Sequence, residues 1–150
     1  MTSTLPVKLI DPPVDLPRRY EPTRAHTHDA GLDLYAARTR YIEKGEITGI
    51  PLGVAVAIPE GHVGLLMLRS SLGRKGIAMA NATGVIDAGY RGELIAQVTA
   101  WHDDVPRIEA GERIAQLLVV PIVTPAVEVV DVLPESGDGR GTAGFGSTGR

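Results

Sequence analysis

Glycine and proline interrupt this chain so often that no long helix can run through it. The 150 residues carry 18 Gly and 11 Pro, together well above the ~12% usual for globular proteins, and they are spread along the whole length. Proline removes a backbone donor and clashes with the preceding turn, and glycine costs backbone entropy in any regular element. Between the breakers lie apolar stretches of strand length: VKLI near Val7, LDLYA from Leu32, GVAVAIP from Gly53, HVGLLML from His62, ELIAQVTAW from Glu93, ERIAQLLVVPIV from Glu112 and VEVVDVL from Val127. All are rich in Val, Ile and Leu and bounded by Gly, Pro, Asp or Asn. A helical period survives for no more than a turn or two, which leaves room for one short helix at SSLGRKG. Many short strands without alternating helices predict an all-β fold, a jelly-roll-like barrel or sandwich with one short helix.

The length suits one domain with its own core. With one Phe and one Trp, that core must be filled by small aliphatic side chains, and association would help to complete it. The end of the chain differs in kind. PESGDGRGTAGFGSTGR, from Pro134, offers almost nothing apolar beyond Phe145, too little to offset the entropy of ordering it. We therefore expect a β domain over 1–135 and a glycine-rich arm over 136–150.

A net charge of −3 argues against a surface that binds nucleic acid by neutralising phosphates. The chain has no cysteine, which excludes disulfides and thiolate chemistry. No apolar run approaches the roughly 20 residues of a membrane span, and MTSTLPVKLIDPP lacks a charged-then-apolar leader pattern. A cytoplasmic protein without membrane contact is expected.

Several stretches could carry chemistry. In DAGLDLYA a turn feeds a strand on which Asp33 and Tyr35 face opposite to Leu32 and Leu34. Asp33 reads either as a carboxylate for a metal or its waters, or as a solvated strand-edge acid. In LRSSLGRKG, Ser70 or Ser71 can cap a short helix whose free N–H groups, with Arg69 beside them, suit a phosphate. A plain capped turn reads equally well. NATGVIDAGYRGEL suggests a hairpin-like arrangement that presents Asp87 and Tyr90 on one rim, with a simple Asp-Ala-Gly turn as the alternative. Gln116 is the single polar interruption of its strand, either a member of a buried network or a ligand contact. His26 and His28 lack a third partner at metal-ligand spacing and read as exposed loop histidines.

Taken in order, DAGLDL, RSSLG, GVIDAGYRGEL, GERIAQLLVVP and RGTAGFGSTGR closely resemble the five motifs of the homotrimeric dUTP pyrophosphatases, the dUTPases. The resemblance covers essentially the whole chain. It implies a jelly-roll-like trimer whose three active sites sit at subunit contacts, with C-terminal arms exchanged between subunits. It also implies hydrolysis of dUTP to dUMP and pyrophosphate with Mg2+, which limits uracil incorporation into DNA and supplies dUMP for thymidylate synthesis. By the same resemblance Asp87 is the general base, and Asp33 holds the metal through water together with Gln116. Arg69, Ser70, Ser71 and the Gly73 amide take phosphate oxygens. Asn81 and the main chain of Gly84, Val85 and Ile86 form the uracil pocket, and Tyr90 packs under the deoxyribose. In the arm, Arg140 serves the γ-phosphate, Phe145 stacks on uracil, and Gly146, Ser147 and Thr148 approach the terminal phosphates.

Two departures are visible. Ser71 stands where glycine is common in the family, and Thr142-Ala143 where Gly-Gly or Glu-Gly is. The RSSL form is also typical of the related dCTP deaminases, but their deaminating glutamate aligns with Gln97, and an amide cannot cycle a proton. A non-catalytic nucleotide-binding trimer would be expected to lack Asp87 or the arm, and both are present.

Overall fold

The computed structural model describes residues 4–10, 21–137 and 142. The arm motif from Asp138 onward, Thr142 apart, lies outside them. Among the described residues the fold is all-β apart from one short helix, and every ladder between its strands is antiparallel.

Strand β1 (Val7–Leu9) leads, followed by β2 (Leu32–Tyr35), β3 (Arg40–Tyr41), β4 (Thr48–Pro51), β5 (Val54–Val56) and β6 (His62–Leu68). Helix α1 (Ser70–Arg74) comes next, then β7 (Ile77–Met79), β8 (Gly84–Ile86), β9 (Ile95–Ala100), β10 (Arg107–Ile108) and β11 (Arg113–Pro121). One sheet has the order β2-β11-β6-β8 and another β4-β9-β7, with the pairs β1-β5 and β10-β3 beside them.

The side-chain period of two decides what is buried. In β9 Ala96, Val98 and Ala100 point inward while Ile95 and Gln97 are exposed, the alternation of a sheet with one wet face. Leu34, Leu66, Ile114 and Leu117 from the larger sheet meet Ile50, Ile77, Ala96 and Val98 from the other in one core. The buried hydrophobic side chains are all Ala, Val, Leu or Ile, as the scarcity of aromatics requires. Leu72 anchors α1 to that core. The helix ends at Gly76, whose φ of 71° is left-handed and so favours glycine.

Two expectations need correction. VEVVDVL forms no strand: from Ile122 to Val130 the backbone is irregular, and Val127, Val129, Val132 and Leu133 are 92, 94, 82 and 80% exposed. Among the described residues the stretch has strand composition but no strand beside it, and a strand exists only as half of a pair. NATGVIDAGYRGEL is not a hairpin either. β8 pairs with β6, whereas β9 pairs with β4 and β7, so the segment crosses from one sheet to the other. Gly84 lets β8 lie close against β6, since a Cβ there would stand 3.1 Å from the Cβ of Leu66. No helix among the described residues is long and apolar enough to cross a membrane.

Candidate active site

The Asp33, Arg69 and Gln116 motifs converge at one end of the larger sheet. Asp33 on β2 stands directly opposite Gln116 on β11, so their side chains share a face. The Asp33 side chain is only 14% exposed and lies between two guanidinium groups, with Oδ1 paired to Arg69 and Oδ2 3.2 Å from Nη1 of Arg113. An open cleft of about 430 Å3 is lined by Asp33, Arg69, Ser70 and Gln116, with His26 and Asp29 at its rim. Gly31 leaves room for the Gln116 side chain, since a Cβ on it would stand 2.7 Å from Oε1 of Gln116. No side-chain hydrogen bond holds that amide among the described residues, which separates Gln116 from a buried network.

The helix is capped differently from expectation. Its N-cap is Arg69, extended at φ −70° and ψ 145°, and it makes no side-chain cap hydrogen bond. The Arg69 amide donates to the Ile114 carbonyl at 2.9 Å, which keeps that residue on the sheet and starts the helix at Ser70. Ser70 and Ser71 are therefore helical and exposed. Their hydroxyls engage nothing among the described residues and are available to a ligand. Gly73 is exposed in the same turn.

At the rim, the His26 amide donates to Oδ2 of Asp29 at 2.9 Å, and Nδ1 of the ring lies 3.2 Å from the same oxygen. The amide bond is the main reason that the Asp29 carboxyl sits below its ordinary pKa.

Asp87 and Tyr90 do share a rim. A second pocket, about 270 Å3, is lined by Val85, Ile86, Asp87 and Tyr90 with Glu93 and Gln97. The Tyr90 amide donates to the Asp87 carbonyl at 3.0 Å, closing the turn between them. Asn81 and Gly84 precede this pocket on the same segment without lining it. Asn81 is an exposed turn residue next to Ala82, whose φ is 59°.

Within one chain the two pockets are far apart. They share no lining residue, and β2 and β8 are opposite edges of the same sheet. At ~4.8 Å between strands and ~3.3 Å per residue along them, the registers place Asp33 and Asp87 roughly 20 Å apart. Arg140, Phe145, Gly146, Ser147 and Thr148 lie outside the described residues.

Among the described residues no three His, Asp or Glu side chains gather as a metal cage. The cleft offers the Asp33 carboxylate and the Gln116 amide, with the Asp29 carboxylate and His26 at its rim, a donor set that fits Mg2+ held through its own waters and completed by phosphate oxygens.

Against this geometry, the family model for dUTPase matches residues 20–149. The chain belongs to the dUTPase family. It is 45% identical over 140 residues to the deoxyuridine 5'-triphosphate nucleotidohydrolase of Leifsonia xyli subsp. xyli (strain CTCB07), covering 91% of each chain. The dUTPase of Staphylococcus bacteriophage 80alpha with dUPNHPP has the same fold, at a TM-score of 0.83 and 37% identity, over 99% of this chain and 100% of that one. A mutant dUTPase from phage phi11 of S. aureus, which coordinates a structural Mg(II) ion, superposes at a TM-score of 0.72 with 32% identity, over 87% of this chain and 98% of that one. Family membership makes this chain an enzyme, a dUTP diphosphatase with the jelly-roll fold.

Two residues inside the dUTPase motifs make contacts that the sequence alone does not reveal. Arg113 binds Asp33 across 80 positions, and Glu93 accepts the Gly53 amide across 40. The signal that the sequence offers is a charged residue within each motif, in GERIAQ and YRGEL.

Proposed function

We propose that this dUTPase hydrolyses dUTP to dUMP and pyrophosphate at sites shared between the subunits of a cytoplasmic homotrimer. The carrying observation is the separation of Asp33 from Asp87. A base and a metal-water ligand must each come within one or two hydrogen bonds of the same phosphate, about 3 Å apiece, and roughly 20 Å excludes that within one chain. Two chains that juxtapose opposite pockets satisfy it. The exposed Val127, Val129 and Leu133 support association, because a large apolar surface needs a cover.

In this reading Asp87 accepts a proton from the water that attacks the α-phosphorus, and pyrophosphate departs as the bond to the bridging oxygen breaks. The main chain of Gly84, Val85 and Ile86, with Asn81, presents fixed donors and acceptors to uracil, and Tyr90 packs under the sugar. Ser70, Ser71 and the Gly73 amide take phosphate oxygens, and Arg69 leaves Asp33 to bind triphosphate charge. Asp33 and Gln116 would hold the waters of Mg2+, which neutralises charge on the triphosphate. From a third subunit, Arg140 would reach the γ-phosphate, Phe145 would stack on uracil, and Gly146, Ser147 and Thr148 would close over the terminal phosphates. The reaction removes dUTP before it enters DNA and supplies dUMP for thymidylate.

Pyrophosphate release measured side by side with dUTP, dCTP, dTTP and UTP tests this reading. Turnover of dUTP far above the other three is expected, and equal rates would refute base and sugar selection. Ammonia from dCTP would contradict the assignment of Gln97 as a residue without proton-transfer chemistry.

A further inference from the structure

Glu93 ties the sugar platform to the body of the protein. Oε1 of Glu93 accepts the Gly53 amide at 2.9 Å, and the carbonyl of the same residue accepts the Tyr90 hydroxyl at 3.0 Å. One residue thus grips the β4–β5 corner with its side chain and the Tyr90 ring with its backbone. The corner is a fixed point. Gly53 is buried with a left-handed φ of 67°, and the next residue along is clamped on both sides, Leu94 donating to Val54 at 2.8 Å and accepting from Leu52 at 2.9 Å.

The ring itself has little else to hold it. Tyr90 is 44% exposed and lies across Gly92, where a Cβ would come within 2.3 Å of its hydroxyl oxygen. Any side chain at 92 would lift the ring. Among the described residues its hydroxyl bond to Glu93 is the one hydrogen bond from the side chain, so the ring stands where Glu93 puts it.

We propose that Glu93 is a positioning residue for sugar selection, acting through Tyr90 and not on the substrate. The proposal rests on the reading of Tyr90 as the surface beneath the deoxyribose. A ring held at a fixed height excludes a ribose hydroxyl, and a ring free to tilt admits it. Small displacements of a positioning group can cost ~100-fold.

The test measures kcat/KM for dUTP and UTP, with thermal melts, in the full chain and in E93A, E93Q and Y90F. E93A keeps the carbonyl that accepts the Tyr90 hydroxyl but frees it from the Gly53 amide, and is expected to lower the dUTP-over-UTP ratio by at least ~10-fold, mostly through a lower KM for UTP. E93Q keeps an acceptor oxygen for the Gly53 amide and is expected to restore the ratio. Y90F keeps the ring and loses its bond to Glu93, so it should lower the ratio with little change in melting temperature, which keeps the test open if E93A fails to fold. A ratio unchanged in E93A or Y90F, or an E93Q ratio as low as that of E93A, would overturn the proposal. Failure of the unmodified chain to prefer dUTP over UTP would instead overturn the reading of Tyr90 on which the proposal rests.

Discussion

Arg113 and Gln116 lie three residues apart on β11 yet flank the same carboxylate. In a regular strand an odd separation puts two side chains on opposite faces. Here the ladder to β2 slips between Arg113 and Ala115, so that Arg113 stands opposite Tyr35 and Gln116 opposite Asp33. A bulge of this kind re-aims a side chain at a functional rim. Its result is a cleft in which Asp33 is bracketed by Arg113 and Arg69 while Gln116 remains open to a ligand.

Asp33→Asn tests the role of that carboxylate. The Mg2+ concentration needed for half-maximal turnover is expected to rise ~10 to 100-fold, as for other groups that hold a metal through an outer shell. Titration of activity against Mg2+ measures it, and an unchanged midpoint would remove Asp33 from metal binding.

Gly31→Ala separates packing from chemistry. The new methyl would stand 2.7 Å from Oε1 and 3.2 Å from Cβ of Gln116, so the amide must swing away and the strand must give by a few tenths of an ångström. The expected outcome is a melting temperature close to that of the parent with kcat/KM reduced by ~10-fold or more, the order seen when an outer-shell ligand is displaced. Full activity would show that the position of the amide is immaterial.

Gly76→Ala acts on stability alone. The residue has a left-handed φ of 71°, and an added Cβ would stand 2.0 Å from Cδ2 of His102. The backbone term alone costs roughly 1–2 kcal/mol, and displacement of the ring adds to it. Urea unfolding should show a loss of at least ~1 kcal/mol; a variant as stable as the parent would contradict the packing described for the end of α1.

The sequence was most readable where an element carries its own signal. β6 and β11 announce themselves by long aliphatic runs, and α1 by the breakers around it. The two-residue strands Arg40–Tyr41 and Arg107–Ile108 have no period to detect, and Thr48–Pro51 contains both breakers. VEVVDVL has strand composition and forms no strand, because composition reports a capacity to pair and not the presence of a partner. The Asp87–Tyr90 rim was legible because a turn builds it locally. The Arg113 contact to Asp33 was not, since it depends on a one-residue slip that periodicity cannot register.

The most direct measurement of the shared site uses two inactive chains. Asp87→Asn disables one pocket, and Arg69→Ala disables the other. Each variant alone should be at least ~100-fold slower than the parent, the low end for loss of a general base or a phosphate clamp. After subunit exchange, random mixing in a cyclic oligomer should leave about a quarter of the sites with both pockets intact, and dUTP turnover should return to that level. Mixed oligomers, verified by mass, that stay as inactive as their parents would contradict a site built from two chains.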